Sequence, residues 1–461
     1  MLRLDLIRPL LWIEKCRVPA ATALIATFVL LAGMAFGQEV QGPASNASTR
    51  AFDPVNGTSV EQAVTIALRD NAELDAMRKE VEAAEVLLRQ AGSRPNPTLD
   101  IRGSQQAGGS DNSFMIEGGL PLELGGRRAA RVAVAAKDLE IRRLAAAEQE
   151  RTLAFEVRNK FGEALAAIMK LQFIERTITL AKNNVDLVAA QVAEGRRPPL
   201  DQNMELVELN RIRALRESSE AAVELKILEL KNLLGVAPDL PFAIRGELVG
   251  LLEPIPPEAV AAERAIETRP DLQAARAAEG FAAARGRQAR AEGRLDAELM
   301  VGYQRMRSSF PLLDMNSQTG ALMTMNEQMN FVTFGVKLML PVRDRKEGMA
   351  AAARLEENAA RSRREFGELT AKRQIAASYV RYNRAMRAKE IYRIGVREQA
   401  EKNLDVVRQM YELGSRTLLD HIAEQRRFIE TENGYIDALL EVFLARSEIL
   451  RTTNSPELIN K

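Results

Sequence analysis

The chain has 461 residues, of which 28% are charged and only 5% are aromatic, and its formal net charge at pH 7 is +1. The low aromatic content favours long helices with narrow apolar seams over several thick globular cores. The net charge near zero gives no indication of a nucleic-acid partner, and the basic and acidic residues alternate as they do on solvated helix faces.

The first 37 residues have the pattern of a signal peptide. Basic residues precede an apolar run from 20 to 36, and the small residues Ala35 and Gly37 suit cleavage before Gln38. An uncleaved membrane anchor is the alternative, although the run is at the short limit for spanning a bilayer. The only cysteine, Cys16, precedes the run, so we expect an exported chain without a lipid anchor, a disulfide or a thiolate metal site.

A polar, flexible lead (38–57) comes before the first predicted helix, which runs from Ser59 to about Ala91. Ser59 and Gln62 have the spacing of a capping box, which marks a helix start. Two runs that alternate apolar and polar residues then predict a strand pair, at 99–103 and 114–120.

A stretch without proline, 126–194, predicts one very long helix. Its apolar residues recur in steps of three, four and seven, and at 1.5 Å per residue the helix would be roughly 100 Å long. No globular domain needs such a helix, so a coiled-coil-like assembly is indicated. A return helix follows from about Leu200 to Leu234, and a proline-rich linker, 238–257, leads into the second half.

The second half repeats this order. Strand-like alternation recurs at 299–303 and 332–340, a long helix is predicted from 345 to 411, and a last helix ends near Arg451. The sequence therefore predicts two structural repeats and a short tail, at 58–237, 258–452 and 453–461. The main difference is an insertion of about twenty residues between the second pair of strands.

Each half also has a turn in which a glycine stands six residues before an aspartate. The pairs are Gly195 with Asp201 and Gly414 with Asp420, and one or two basic residues lie between the members of each pair. Both turns follow a long predicted helix, and glycine lets a helix end. We therefore expect two helical hairpin tips, each carrying Arg and Asp.

The strands have about the length that crosses an outer membrane. Four strands cannot close a barrel, and an open sheet edge is not tolerated in lipid. The expected fold is therefore mostly α with a small transmembrane β part: long antiparallel helical hairpins and four strands per chain, assembled by three chains into a 12-stranded barrel on a helical tube. The alternative is a small soluble β-domain on a helical stalk.

The order of elements, the two-fold repeat and the motif from Tyr411 to Asp420 resemble the trimeric outer-membrane channel proteins of the TolC type. The resemblance covers about 59–451. Leu120 and Pro121, followed by the Leu-Gly-Gly-Arg-Arg run at 124–128, look more like the cobalt–zinc–cadmium (heavy-metal) resistance branch than the drug branch.

This resemblance implies a passive exit duct, without catalysis or cofactor, in the outer membrane. It implies a homotrimer whose helical tube lies in the periplasm and docks with a periplasmic adaptor and a proton-driven inner-membrane RND pump. In the family, an Asp ring constricts the tip, which maps to Asp420, and bonds from Tyr411 and Arg416 hold the hairpins shut. A second acid of the family is replaced by Ala423, although the adjacent Glu424 would partly replace it.

The residues themselves leave two roles open for the tip aspartates. An Asp at a helix start is ordinarily a cap or a dipole partner, and its recurrence as Asp201 and Asp420 favours a structural role at least as much as a gate. In a trimer, however, inward carboxylates would attract cations and raise each other's pKa. We expect a double substitution, Tyr411→Phe with Arg416→Ser, to raise conductance if the gate assignment holds.

Two sets of residues are weak candidates for metal binding. His421 is the only histidine, and one ligand per chain makes a weak site unless a three-fold axis gathers three, so an ordinary helix residue is the main alternative. Thioethers suit Cu(I) or Ag(I) but also fill gaps without a ligand role. Seven methionines cluster around the second strand pair: Met300, Met306, Met315, Met323, Met325, Met329 and Met339.

The sequence contains no nucleophile elbow, phosphate loop or metal-ligand spacing, so we do not expect an enzyme. The expected function is an outer-membrane duct for heavy-metal cations. A duct for drugs or other small organic molecules is one alternative, and a soluble periplasmic coiled-coil adaptor is another. Two tips and helices of nearly seventy residues count against the adaptor.

Overall fold

The computed structural model describes residues 51–251, 255–315, 318–320 and 322–459, and describes side chains except at 310–317 and 321–326. The predicted signal peptide and most of the predicted lead lie outside the described residues. The side chains of Met315, Met323 and Met325 lie outside them as well. All described elements belong to one compact unit, 45–461.

The first predicted helix is two helices, α1 (Val60–Asp70) and α2 (Ala72–Ala91). The capping box of Ser59 and Gln62 is confirmed, but the prediction of one continuous helix was wrong. Asn71 interrupts it with an extended backbone, and its side-chain oxygen caps α2 by accepting from the Leu74 amide at 3.1 Å. Such a polar side chain competes with helical hydrogen bonding.

The second half breaks at the matching place. α5 (Glu258–Thr268) and α6 (Pro270–Glu292) are separated by Arg269, which is extended. Here the cause is Pro270, because a proline disfavours helical backbone at the residue before it. The two halves therefore share the break but reach it with different residues.

The first long helix, α3 (Arg127–Ala193), is unbroken over 67 residues, as predicted, and returns as α4 (Pro199–Leu234). The second was predicted as one α-helix and is not. It consists of α7 (Glu347–Glu390), a seven-residue π-helical segment (Ile391–Arg397) and α8 (Glu398–Glu412). The last helix is α9 (Leu418–Thr452).

The π-helical segment faces α9 with two side chains. Arg397 pairs with Glu432, and its guanidinium lies 5.0 Å from the centroid of the Tyr435 ring. Tyr392 packs on Gly434, where a Cβ atom would lie 2.8 Å from the tyrosine ring. A π turn shifts the register of a helix, and here the shifted part carries both contacts.

Four strands form one antiparallel sheet in the order β1-β2-β3-β4: β1 (Thr98–Gln105), β2 (Asn112–Pro121), β3 (Asp296–Met315) and β4 (Leu322–Met339). β2 pairs with β3, so the sheet joins the two halves. The predicted insertion does not form a long loop. It lengthens β3 and β4 to 20 and 18 residues, with a register irregularity between Phe310 and Leu313.

The two faces of the sheet differ sharply, because successive residues of a strand point to opposite faces. One face, called the apolar face below, carries exposed apolar side chains: Leu99, Ile101, Phe114, Leu120, Leu299, Val301, Tyr303, Val332, Phe334, Val336 and Leu338. On the other face, called the polar face, the described acidic residues outnumber the basic ones by five to two.

The Leu-Gly-Gly-Arg run connects the sheet to α3. Gly125 and Gly126 have φ values of +72° and +81°, a conformation that glycine adopts without steric cost. They let Arg127 pair with Asp296 of β3 at 2.9 Å, while the same aspartate accepts from the Leu124 amide at 2.9 Å. This fixes the sheet to the start of the long helix.

The main apolar core lies where α1, α3, α4 and α9 meet. Phe161 is fully buried there, and the next residue, Gly162, lets α3 approach Phe443 of α9 closely. In the described part of the chain, no helix has both the length and the apolar character to cross a membrane.

Candidate functional site at the hairpin tips

The two tips have the same backbone turn. At the first, the Gly195 amide donates to the Val192 carbonyl at 2.9 Å and the Arg196 amide to the Gln191 carbonyl at 2.9 Å. At the second, the Gly414 and Ser415 amides donate in the same way to Tyr411 and Met410, at 3.0 and 2.9 Å. This is the Schellman ending of a helix, and the glycines supply its left-handed residue, with φ of +70° and +74°.

Both tip aspartates are the third residue of the return helix, but they have different partners. Thr417 caps α9, and the Asp420 carboxylate accepts from the Thr417 hydroxyl at 2.9 Å and from its amide at 3.1 Å. These bonds hold the pKa of Asp420 below its usual range. Pro198 offers α4 no side-chain cap, and Asp201 pairs instead with Arg197 at 3.5 Å.

Arg197 connects the first hairpin to the second. Its guanidinium lies 4.1 Å from the centroid of the Tyr411 ring, which is a cation–π contact between the tips. Tyr411 is only 9% exposed, and its hydroxyl has no hydrogen-bond partner among the described residues. Burial raises the pKa of this phenol to about 12, so the ring is neutral.

Arg416 and Glu424, which sequence reasoning placed at the gate, do not join this contact. Arg416 is exposed, and no ion pair or side-chain hydrogen bond joins it to the described residues. Glu424 pairs with Arg427 of its own helix at 3.1 Å, so its charge is compensated locally. The basic residue that contacts Tyr411 comes from the other hairpin.

His421 lies behind Tyr411. The two rings stack at 5.7 Å with an interplanar angle of 3°, next to Leu418, Ile422 and Met204. His421 is 5% exposed, and its Nδ1 has no partner among the described residues. Burial, helped by Arg408, lowers the pKa of His421. Within the described ranges, no three His, Cys, Asp or Glu side chains come together as a metal site.

Sequence reasoning missed two buried acids of α4, Glu205 and Glu208. Glu208 is 1% exposed and accepts from Arg211 at 2.7 Å and from Arg426 of α9 at 2.6 Å, so it forms an ion pair between the hairpins. Burial alone would raise the pKa of Glu208, but the two guanidiniums hold it below its usual range.

Glu205 is 2% exposed. Its burial and the nearby carboxylates of Glu208 and Asp201 raise the pKa of Glu205 to about 7, against a lowering effect of Arg197. The signal for these acids was in the sequence, because Asp201, Glu205 and Glu208 follow one helix face at steps of four and three. Together, Arg197, Asp201, Glu205, Glu208, Tyr411 and Arg426 form what we call the tip joint.

Comparisons with known proteins agree with this architecture. A model of the outer membrane efflux protein family matches residues 63–235 and 261–454. The cobalt-zinc-cadmium resistance protein CzcC of Cupriavidus metallidurans is 24% identical over 396 residues, which are 85% of this chain and 89% of that protein.

Solved structures with the same fold include a membrane protein from Pseudomonas aeruginosa and CusC. The first is 21% identical with a TM-score of 0.69, covering 86% of this chain and 92% of that one. CusC is 17% identical with a TM-score of 0.71, covering 88% and 94%.

Proposed function

Because the chain belongs to the outer membrane efflux protein family, we propose that it is the homotrimeric exit duct of a tripartite pump that exports heavy-metal cations. Channels of this family are passive and work with a periplasmic adaptor and an inner-membrane pump. The observation that supports a duct is the family match across both halves of the chain. The pump partner would be a proton-driven RND protein.

The trimer is supported by the sheet. β1 and β4 each have one unpaired edge, and the apolar face is exposed. An open edge in lipid is costly, whereas β1 of one copy pairing with β4 of the next closes a ring of twelve strands. The apolar face would then contact outer-membrane lipid, after cleavage of the predicted signal peptide before Gln38.

The metal cargo is supported by the similarity to CzcC, whose name states cobalt, zinc and cadmium. The Leu-Gly-Gly-Arg-Arg run points to the same branch. A duct for drugs or other small organic molecules is the alternative outcome of the transport test. The adaptor alternative is excluded by the family match over both halves of the chain.

We propose that the tip joint is the closed gate. The Arg197–Tyr411 contact and the Glu208–Arg426 ion pair join the first hairpin to the second. An adaptor that competes for these few polar contacts would separate the hairpins. Asp420 and Asp201 would add negative charge around the axis and attract cations.

Single-channel conductance of the detergent-extracted protein in a planar bilayer tests the duct. We expect a small conductance that falls further with divalent cations. Protein that stays soluble without detergent and inserts no channel would overturn the duct.

Metal and drug tolerance of a deletion strain carrying the gene tests the cargo. Restored tolerance to Co²⁺, Zn²⁺ or Cd²⁺ is expected, and restored tolerance to organic compounds alone would favour the drug alternative.

A further inference from the structure

The strand methionines whose side chains the structure describes all lie on one face. Five methionines of the strands have described side chains, and the strand register puts each of them on the polar face: Met115, Met300, Met306, Met329 and Met339. Among the described side chains, the apolar face has none. A methionine used only as an apolar filler belongs on the apolar face, so this placement calls for a different explanation.

Three of these methionines are neighbours in the strand register. Met306 of β3 is directly opposite Met329 of β4, and Met115 of β2 is diagonal to Met306 because its own partner is Gln304. Directly opposite residues have Cβ atoms about 4.5–5.5 Å apart, and diagonal neighbours are within reach of long side chains. All three are half-buried on a face that is otherwise mostly polar.

The surroundings favour a cation. Glu117 and Glu327 lie on the same face within a few residues of the cluster. Arg102, directly opposite Met115, pairs with Asp100 at 2.5 Å, so the two glutamates leave the local charge negative. Acidic side chains raise the local cation concentration, and thioether sulfur prefers soft ions over zinc or cobalt. Thioethers carry no proton at neutral pH, so binding would not compete with protonation of the ligands.

We propose that Met306 and Met329, with Met115 beside them, form a binding site for a soft monovalent cation, Cu(I) or Ag(I), on the polar face of the sheet. That this face lines the duct rests on the proposed function. Met300 lies about 20 Å along β3 from Met306, and Met339 pairs with Asp296 about 14 Å further on. A few weak, separated sites are what passage through a duct requires.

Ag(I) binding to the full-length protein in detergent, in chloride-free buffer, tests the site. We expect the double variant Met306→Leu with Met329→Leu to bind one Ag(I) fewer per chain than the wild type in calorimetry. Leucine nearly conserves the volume, so the strands should still pair. The control is Met349→Leu with Met410→Leu, since these methionines are 53% and 41% exposed on helices. Equal stoichiometry and affinity in both double variants would overturn the site.

A second measurement uses only the wild-type protein, so it does not depend on a variant folding. Ag(I) should slow peroxide oxidation of Met306 and Met329 but not of Met349 and Met410. No protection, or equal protection by Zn²⁺, would contradict a soft-cation site.

The bilayer recording separates the two proposals. Channels without Ag(I) binding would overturn only this site, whereas Ag(I) binding without channels would overturn only the duct.

Discussion

The two hairpin tips have the same turn and use it differently. Each ends its long helix with a left-handed glycine and places an aspartate third in the return helix. At the second tip, Thr417 engages the acid in a capping box. At the first, Pro198 provides no cap, and the acid pairs with Arg197, which reaches Tyr411 across the joint. The residue before the return helix thus determines the partner of the aspartate. With Thr417 the aspartate bonds to its own helix start, and with Pro198 it pairs with the arginine that contacts the other hairpin.

The largest effect is expected from removing the contact between the tips. Arg197→Ser with Tyr411→Ala should raise single-channel conductance several-fold, because it deletes both sides of the cation–π contact. Tyr411→Phe with Arg416→Ser is the matched control, and the tip geometry reverses the increase that the family resemblance implied for it. The variant keeps the ring beneath Arg197 and removes a hydroxyl without a partner among the described residues. It also removes an exposed guanidinium that no ion pair or side-chain hydrogen bond joins to the described residues, so conductance should stay near the wild-type value. The reverse order of the two double variants would refute the role of Arg197.

A smaller effect is expected deeper in the joint. Glu208→Ala would leave Arg211 and Arg426 without their shared acid. Loss of one partner of a fully buried pair costs about 3–5 kcal/mol, and since these arginines are 36% and 48% exposed we expect about 1–3 kcal/mol. Amide hydrogen exchange of α4 and α9 around the Glu208–Arg426 pair measures this loss of stability. Glu424→Ala, which breaks a pair within one helix, should cost about 0–1 kcal/mol. Similar costs for both would contradict the burial argument.

The joint should also respond to pH through Glu205. Its pKa is raised from 4.5 to about 7, so its protonated form is favoured in the closed joint. This stabilisation is full below about pH 4.5 and is lost as the pH rises through about 7. Conductance should therefore increase between pH 5 and pH 8.

Glu205→Gln should abolish that increase and hold the low-pH conductance, although Asp201, Glu208, Arg197 and Arg426 remain around it. Glu424→Gln should keep the pH dependence. A pH profile unchanged by Glu205→Gln would assign the titration to another group.

The smallest effect concerns the caps themselves. Thr417→Ala should cost about 1 kcal/mol in the first turn of α9, because the Asp420 amide loses its acceptor and the Asp420 carboxylate loses the Thr417 hydroxyl. It should also return the pKa of Asp420 toward its ordinary value. Pro198→Ala removes no cap and should change the start of α4 by less. Amide hydrogen exchange at the starts of α4 and α9 measures the stability that each variant loses. Equal losses of stability would contradict the difference between the capped start of α9 and the uncapped start of α4.

Much of the fold could be predicted from the sequence because its signals are local. Apolar periodicity, the capping box at Ser59 and strand alternation mark elements that form from neighbouring residues. The predicted helices were wrong where a local pattern was interrupted. Asn71 breaks a helix through one side-chain hydrogen bond, and the π-helical segment at Ile391–Arg397 leaves no mark in the apolar spacing.

The candidate site was predicted less completely. The tip turns and the aspartates at the helix starts could be recognised from spacing, since both depend on a few adjacent residues. The partners of Arg197 and Glu208 across the joint could not be assigned, because they lie on a hairpin more than 200 residues away. Arg416 was favoured because the family resemblance maps the gate arginine to it, but the guanidinium that contacts Tyr411 comes from the first tip.

The sequence by itself determined the two-fold repeat, the long helices, the four strands and the resemblance to a channel family. These depend on periodicity and turn chemistry, which act over a few residues. Only the tertiary structure decided which charges meet at the tips and which face of the sheet carries the methionines. Both depend on register between segments far apart in the chain, and a shift of one residue in a strand would move the methionines of that strand to the other face.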